Sequence, residues 1–197
     1  MKKLICLLMV LLLCMGAVAV AEEAPLALTD SVLDGVVELN GVVYKLPMPL
    51  QEMLDNGWEL VQGNGPIKPN QIVSTRVKSN GYQLSIKIAN VSDKEMPFAE
   101  APVVAIVVYV DDATQEKLTA KFSNAVSLAT SFKELKAAQG KADTEEGGGL
   151  FDGGNARLVY KGQPSRYFNV GHSFSAIYRG GKLTQMEINY MLDDFHH

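Results

Sequence analysis

Three groups of residues in this chain have types and spacing that could do chemistry. Hydrolytic catalysis sets a base beside a nucleophile, and the chain offers His172, His196 and His197 as bases. No G-x-S-x-G turn is present, so a triad would have to use His172. That residue lies in an alternating stretch with Phe174 and Tyr178, where a half-buried structural imidazole is the competing and preferred reading. The last five residues, Asp193-Asp194-Phe195-His196-His197, gather four potential metal ligands at a chain end with no ordered surroundings to hold them. The stretch from Asp143-Thr144-Glu145-Glu146 to Asp152-Gly153-Gly154-Asn155 mixes acids and glycines as calcium loops do. It does not fit the twelve-residue spacing that places oxygens around the ion, and reads as a solvated acidic loop. No catalytic residue, metal or cofactor is therefore assigned.

Binding surfaces are the stronger candidates. Trp58 directly follows a helix-ending Gly57, where it either caps the core or stands at an exposed rim. On the strands, alternation leaves Arg76, Lys78, Gln83, Lys87, Arg157, Lys161, Arg179, Gln185 and Glu187 on a polar sheet face. Such a face is either simply wet or a place where a protein docks. Most of the strand aromatics, Tyr82, Tyr109, Tyr160, Phe174, Tyr178 and Tyr190, are expected in the core.

The elements that must position these residues begin after an export signal. Lys2 and Lys3 precede an unbroken apolar run of 12 residues, Leu4 to Met15. Small residues follow from Gly16 to Ala21, with overlapping A-x-A sites at Ala17–Ala19 and Ala19–Ala21, before Glu22-Glu23. This is the tripartite pattern of a cleaved secretory signal over residues 1–21. The alternatives are an uncleaved anchor, since the 18 uncharged residues Leu4 to Ala21 can just span a bilayer, and lipidation at Cys14. Removing residues 1–21 takes away two lysines and both cysteines. It leaves 176 residues, 16 Lys+Arg against 22 Asp+Glu, and a formal charge of −6. That balance argues against a nucleic-acid partner. It also excludes disulfides and thiol chemistry from the mature chain.

Residues 22–35 form a lead-in. Val36–Leu39, Asn40-Gly41 and Val42–Leu46 give a hairpin signal, with Asn-Gly suited to a type I′ turn. A short helix is predicted from Pro49 to Asn56, with Gly57 ending it. Ile72–Lys78 and Tyr82–Asn90 alternate around the turn Ser79-Asn80-Gly81. Val103–Val110 is apolar throughout and predicts a strand covered on both faces. Lys117–Leu128 reads as extended. Ser131-Phe132-Lys133-Glu134 is a capping box opening a helix over Phe132–Gln139. Residues 141–155 read as a mobile glycine-rich loop, and the strands resume over 156–161, 172–179 and 184–190.

The order helix–strand–strand–strand thus occurs twice, which predicts two repeats, about 36–115 and 116–197, within a single domain 36–197. The expected fold is α+β: two tandem helix-plus-strand repeats forming one antiparallel sheet, with the short helices on one face. The arrangement, and the segment Ser131 to Lys141 with its capped helix ending in Gly140, resembles the beta-lactamase-inhibitor-protein-like fold. More loosely it resembles the small outer-membrane assembly lipoproteins and other secreted bacterial proteins. The resemblance implies an exported protein that binds other proteins on its exposed sheet face. The chain departs from the inhibitors in having no cysteine after the signal, and no inhibitory motif or target carries over. The expected function is an exported, non-enzymatic protein-binding module with an unidentified protein partner and no membrane insertion after cleavage. An envelope-associated assembly protein and a hydrolase are the alternatives. N-terminal sequencing of the secreted product should begin at or near Glu22. A product retaining residues 1–21 would overturn the cleaved-signal reading.

Overall fold

The computed structural model describes residues 25–63, 65–147, 154–163 and 171–191. Residues 1–21, read above as an export signal, the tail Asp193 to His197, and Gly148, Gly149, Asp152 and Gly153 of the acidic loop lie outside them. The chain opens with a hairpin, β1 (Val36–Leu39) and β2 (Val42–Lys45). Its turn residues Asn40 and Gly41 both have positive φ, 50° and 82°, as a type I′ turn requires. β3 (Met48–Pro49) leads into α1 (Leu50–Asp55). Pro49 is the residue before the helix rather than its first, with an extended ψ of 138°. α1 buries Leu50 and Met53. Gly57 then turns the chain at φ 83°.

β4 (Glu59–Leu60), β5 (Gln71–Ser79), β6 (Tyr82–Asn90) and β7 (Pro102–Tyr109) follow as an antiparallel meander. A one-turn helix α2 (Thr114–Lys117) leads to the hairpin β8 (Ala120–Ser123) and β9 (Val126–Ser127). The stretch 117–128, expected to be extended, therefore begins inside a helical turn. α3 (Phe132–Gln139) carries the anticipated capping box. The Glu134 amide donates to Ser131 Oγ, and the Ser131 amide donates to the Glu134 carboxylate. β10 (Thr144–Glu146), β11 (Ala156–Lys161), β12 (Ser173–Arg179) and β13 (Lys182–Asn189) complete the chain.

The strands form two sheets, not the single one expected. The large sheet has nine strands in the order β10-β11-β12-β13-β7-β6-β5-β4, with β3 added against the start of β7. The four-stranded sheet has the order β2-β1-β8-β9. Every pairing is antiparallel, so the protein is α+β with sheet predominating. The hairpins β1–β2 and β8–β9 pair with each other through β1 and β8. Asn40 N donates to Thr119 O at 2.9 Å, and Lys121 pairs with Glu38 at 3.0 Å. The loop expected over 141–155 is a strand at Thr144–Glu146. Its three polar residues are held extended by the ladder to Arg157–Val159.

One apolar cluster joins all these layers. Leu39 and Tyr44 of the small sheet, Leu50 and Met53 of α1, and Leu135 of α3 meet Leu84, Ile106, Phe174 and Ile188 of the large sheet. Phe122 of β8 packs on Phe174 of β12 with ring centroids 5.4 Å apart, and Phe132 meets Tyr178 edge-on at 5.7 Å. Each fully buried side chain contributes about 1.5–3 kcal/mol, in a chain with no cysteine after Cys14 to form a disulfide. Ile106 lies in β7 opposite both Ile86 and Ile188 and is fully buried. Ile106→Ala should cost about 2–5 kcal/mol in urea unfolding. A loss under about 0.5 kcal/mol would contradict its central place.

Candidate functional site: the outer face of the large sheet

Alternation along each strand and register between strands decide which side chains share a face. In β5 and β6, Thr75, Val77, Leu84, Ile86 and Ile88 are buried, while Arg76, Lys78 and Gln83 are exposed. The pairings carry this outward parity across the sheet. One row runs Arg76–Ser85–Val107–Glu187–Ser175–Val159. A second runs Ser74–Lys87–Ala105–Asn189–Ser173–Lys161. A third runs Tyr109–Gln185–Ile177–Arg157–Glu146, and Lys78 lies between Gln83 and Glu59. Arg179 has outward parity at the end of β12, paired with Lys182 after a bulge. The nine polar strand residues singled out in the sequence therefore lie on one surface. At the usual strand spacing, a six-strand row is about 24 Å across.

Trp58 is not on this surface. It is buried in the core, only 3% exposed. The positive φ of Gly57 turns the chain back, and the Trp58 amide donates to Met53 O at 3.1 Å, which carries the indole inward. Trp58 is accordingly removed from the candidate binding residues.

Tyr109 is where sequence reasoning failed in the opposite direction. It was expected in the core with the other strand aromatics, yet it stands 55% exposed at the end of β7. Its backbone is fixed from behind. Tyr82 Oη donates to Tyr109 O at 2.9 Å and accepts from Tyr109 N at 3.2 Å. The residues 105, 107 and 109 all have outward parity, but a run of uniformly apolar side chains hides which parity is which. A shallow depression of about 240 Å³ adjoins Tyr109, bounded by Arg76, Ser85, Lys87 and Val107.

Charges on the face are partly matched. Lys87 of β6 reaches over β7 to Glu187 of β13 at 2.9 Å. This bridge crosses the strand that carries Ala105 and Val107 and helps bury both. Lys78 pairs with Glu59 at 2.8 Å, and its hydrogen bond and charge hold the Glu59 carboxyl below the usual range. Arg157 lies 3.7 Å from Glu146. Among the described residues no ion pair engages the side chains of Arg76, Lys161 or Arg179. The Lys161 backbone amide donates to the Asp143 carboxylate at 2.8 Å. With Glu145 paired to Lys136 at 2.9 Å, the described acids of the 143–146 stretch are all engaged.

His172 lies just before β12, away from these rows. Its ring stacks on Tyr190 with centroids 3.9 Å apart and planes 13° from parallel. Gly35, at φ 72°, makes room for that tyrosine, since a Cβ there would come within 2.5 Å of the ring. Among the described residues no cluster of three metal-ligating side chains occurs, and no helix is long and apolar enough to cross a membrane. Comparison with known proteins finds no matching family model, no matching curated protein and no matching solved structure.

Burial pushes the Tyr82 hydroxyl up to about 12, although the hydrogen bond it accepts from the Tyr109 amide lowers it somewhat. A phenol whose folded value lies above its unfolded value of about 10 stabilises the fold at lower pH. That stability falls as pH rises from about 10 to 12. Tyr82→Phe should remove a late-titrating component from the tyrosine absorbance titration and flatten the alkaline loss of stability. An unchanged titration curve would contradict the buried, hydrogen-bonded placement.

Proposed function

We propose that this chain is an exported, non-enzymatic bacterial protein that binds another protein through the outer face of its large sheet. The observation that carries the reading is Tyr109, exposed on a regular strand beside Arg76 and a concave surface. Tyrosine and arginine are the residues most enriched at the energetic centres of protein interfaces. A tyrosine on a held strand has only two side-chain torsions to order on binding, so the ordering cost against its contact area is small. The flat packing of His172 against Tyr190 favours a structural role for the one described histidine. Export rests on the tripartite pattern of residues 1–21. If that segment is retained, the same face serves an envelope-associated assembly protein.

The finer architecture belongs to the same proposal. We read the halves, about 36–115 and 116–197, as copies of one unit. The mirrored order supports this: β4–β7 run to one edge of the large sheet, β10–β13 run to the other, and β7 meets β13 in the middle. In the small sheet β1 and β8 meet in the same way, with β2 and β9 outside them. A beta-lactamase-inhibitor-protein-like ancestry is part of the reading and rests on the sequence elements alone.

Affinity capture from native medium and envelope, with the mature chain as bait, tests the binding surface. Tyr109→Ala should weaken recovery of the captured protein by roughly 30-fold, the scale of a hot-spot truncation. Its unfolding free energy should change by no more than about 0.5 kcal/mol. Capture that survives Tyr109→Ala and is lost when Glu52 on α1 is substituted would contradict the proposal.

A further inference from the structure

The charge on the outer face defines the chemistry of what it takes. Arg76, Lys78, Lys87, Arg157, Lys161, Arg179 and Lys182 are seven cations at outward strand positions, against the three strand carboxylates Glu59, Glu146 and Glu187, with Asp112 beyond β7 lying 4.0 Å from Lys182. Each of those three carboxylates already has a cationic partner on the face. The excess is thus positive, on a chain whose formal charge is −4. Such segregation concentrates a positive field where Tyr109 and the depression lie, while the rest of the molecule repels anions.

We infer that the protein docked on this face presents an acidic segment, whose carboxylates pair with Arg76 and Arg179 on either side of Tyr109. The inference rests on the outer face being the binding surface. Arg76 on β5 is level with Ser175 on β12, so Arg179 lies four strands across and four residues along, about 23 Å away at the usual spacings. About seven residues of extended chain cover that distance. Both guanidiniums are exposed, and each can take a carboxylate in a planar two-bond fork. A nucleic acid fits less well, because three paired carboxylates interrupt the positive surface and would face phosphates. An anionic membrane fits less well too, because the cations are set among Ser85, Gln83 and Gln185, which hydrogen-bond discrete groups.

The test uses the full chain in the cells that produce it, with benzoylphenylalanine in place of the exposed Gln83. Photo-cross-linking should give a protein adduct whose linked peptide is net negative. The adduct should fall about tenfold or more with Arg76→Glu plus Arg179→Glu, and persist with Arg76→Lys plus Arg179→Lys. A neutral or basic linked peptide, or a second copy of this chain, would overturn the acidic-partner inference and leave the binding face standing. Flotation of the purified mature chain on phosphatidylglycerol vesicles, reversed by the same Glu substitutions, would overturn it in favour of a lipid surface. If benzoylphenylalanine at Gln51 of α1 captures a protein and Gln83 does not, the binding face itself is wrong. No adduct at either position sinks both.

Discussion

A strand that is apolar on both faces can lie only where both faces are covered, and in this protein that strand is β7. Val103 through Val108 are all buried, and β7 pairs with β6 on one side and β13 on the other. Inward, Ile106 and Val108 enter the main core. Outward, Ala105 and Val107 face the other side of the sheet. They lie beneath the long side chains of their neighbours, above all the Lys87–Glu187 pair that spans the strand. The centre of the sheet is therefore fixed by apolar burial below and by an ion pair above.

The rest of the architecture follows from that placement. With β7 in the middle, the meander β4–β7 must extend to one side and β10–β13 to the other. The short hairpins are left to pair with each other and, with the helices, close the inner side through Phe122, Tyr44, Leu50 and Leu135. The outer side is left polar over its middle rows, with a small apolar cluster of Ile72, Ala89, Val91, Val104 and Met191 at one end. At the end of β7 the strand runs out of covering neighbours, and Tyr109 emerges with its backbone held by the Tyr82 hydroxyl. The surface proposed for binding is thus the continuation of the most constrained strand in the molecule.

Much of this was legible in the sequence where local physics decides. The alternation of Tyr82 to Asn90, the turns at Asn40-Gly41 and Asn80-Gly81, and the Ser131–Glu134 box all reappear with the expected geometry. The polar face was legible too, because parity within a strand needs no knowledge of its partners. What failed depends on partners distant in the chain. Nothing local to Val36–Leu39 says that it pairs with Ala120–Ser123 rather than joining the large sheet. Thr144–Glu146 has no strand pattern of its own and is extended because β11 offers it a ladder. Tyr109 was carried outward by a parity that a uniformly apolar run conceals, whereas Trp58 took the core alternative that its place after Gly57 left open.

β7 and β13 join the two wings of the large sheet, which predicts one cooperative unit. Native-state hydrogen exchange on the mature protein measures this directly. The amides of Ala105 to Val108 and of Gln185 to Ile188 that take part in the ladder should be the slowest in the molecule. They should exchange with one common free energy equal to that of global unfolding. If the amides of β5–β7 and those of β11–β13 instead open as two groups with different free energies, the halves fold independently and the account of the sheet is wrong.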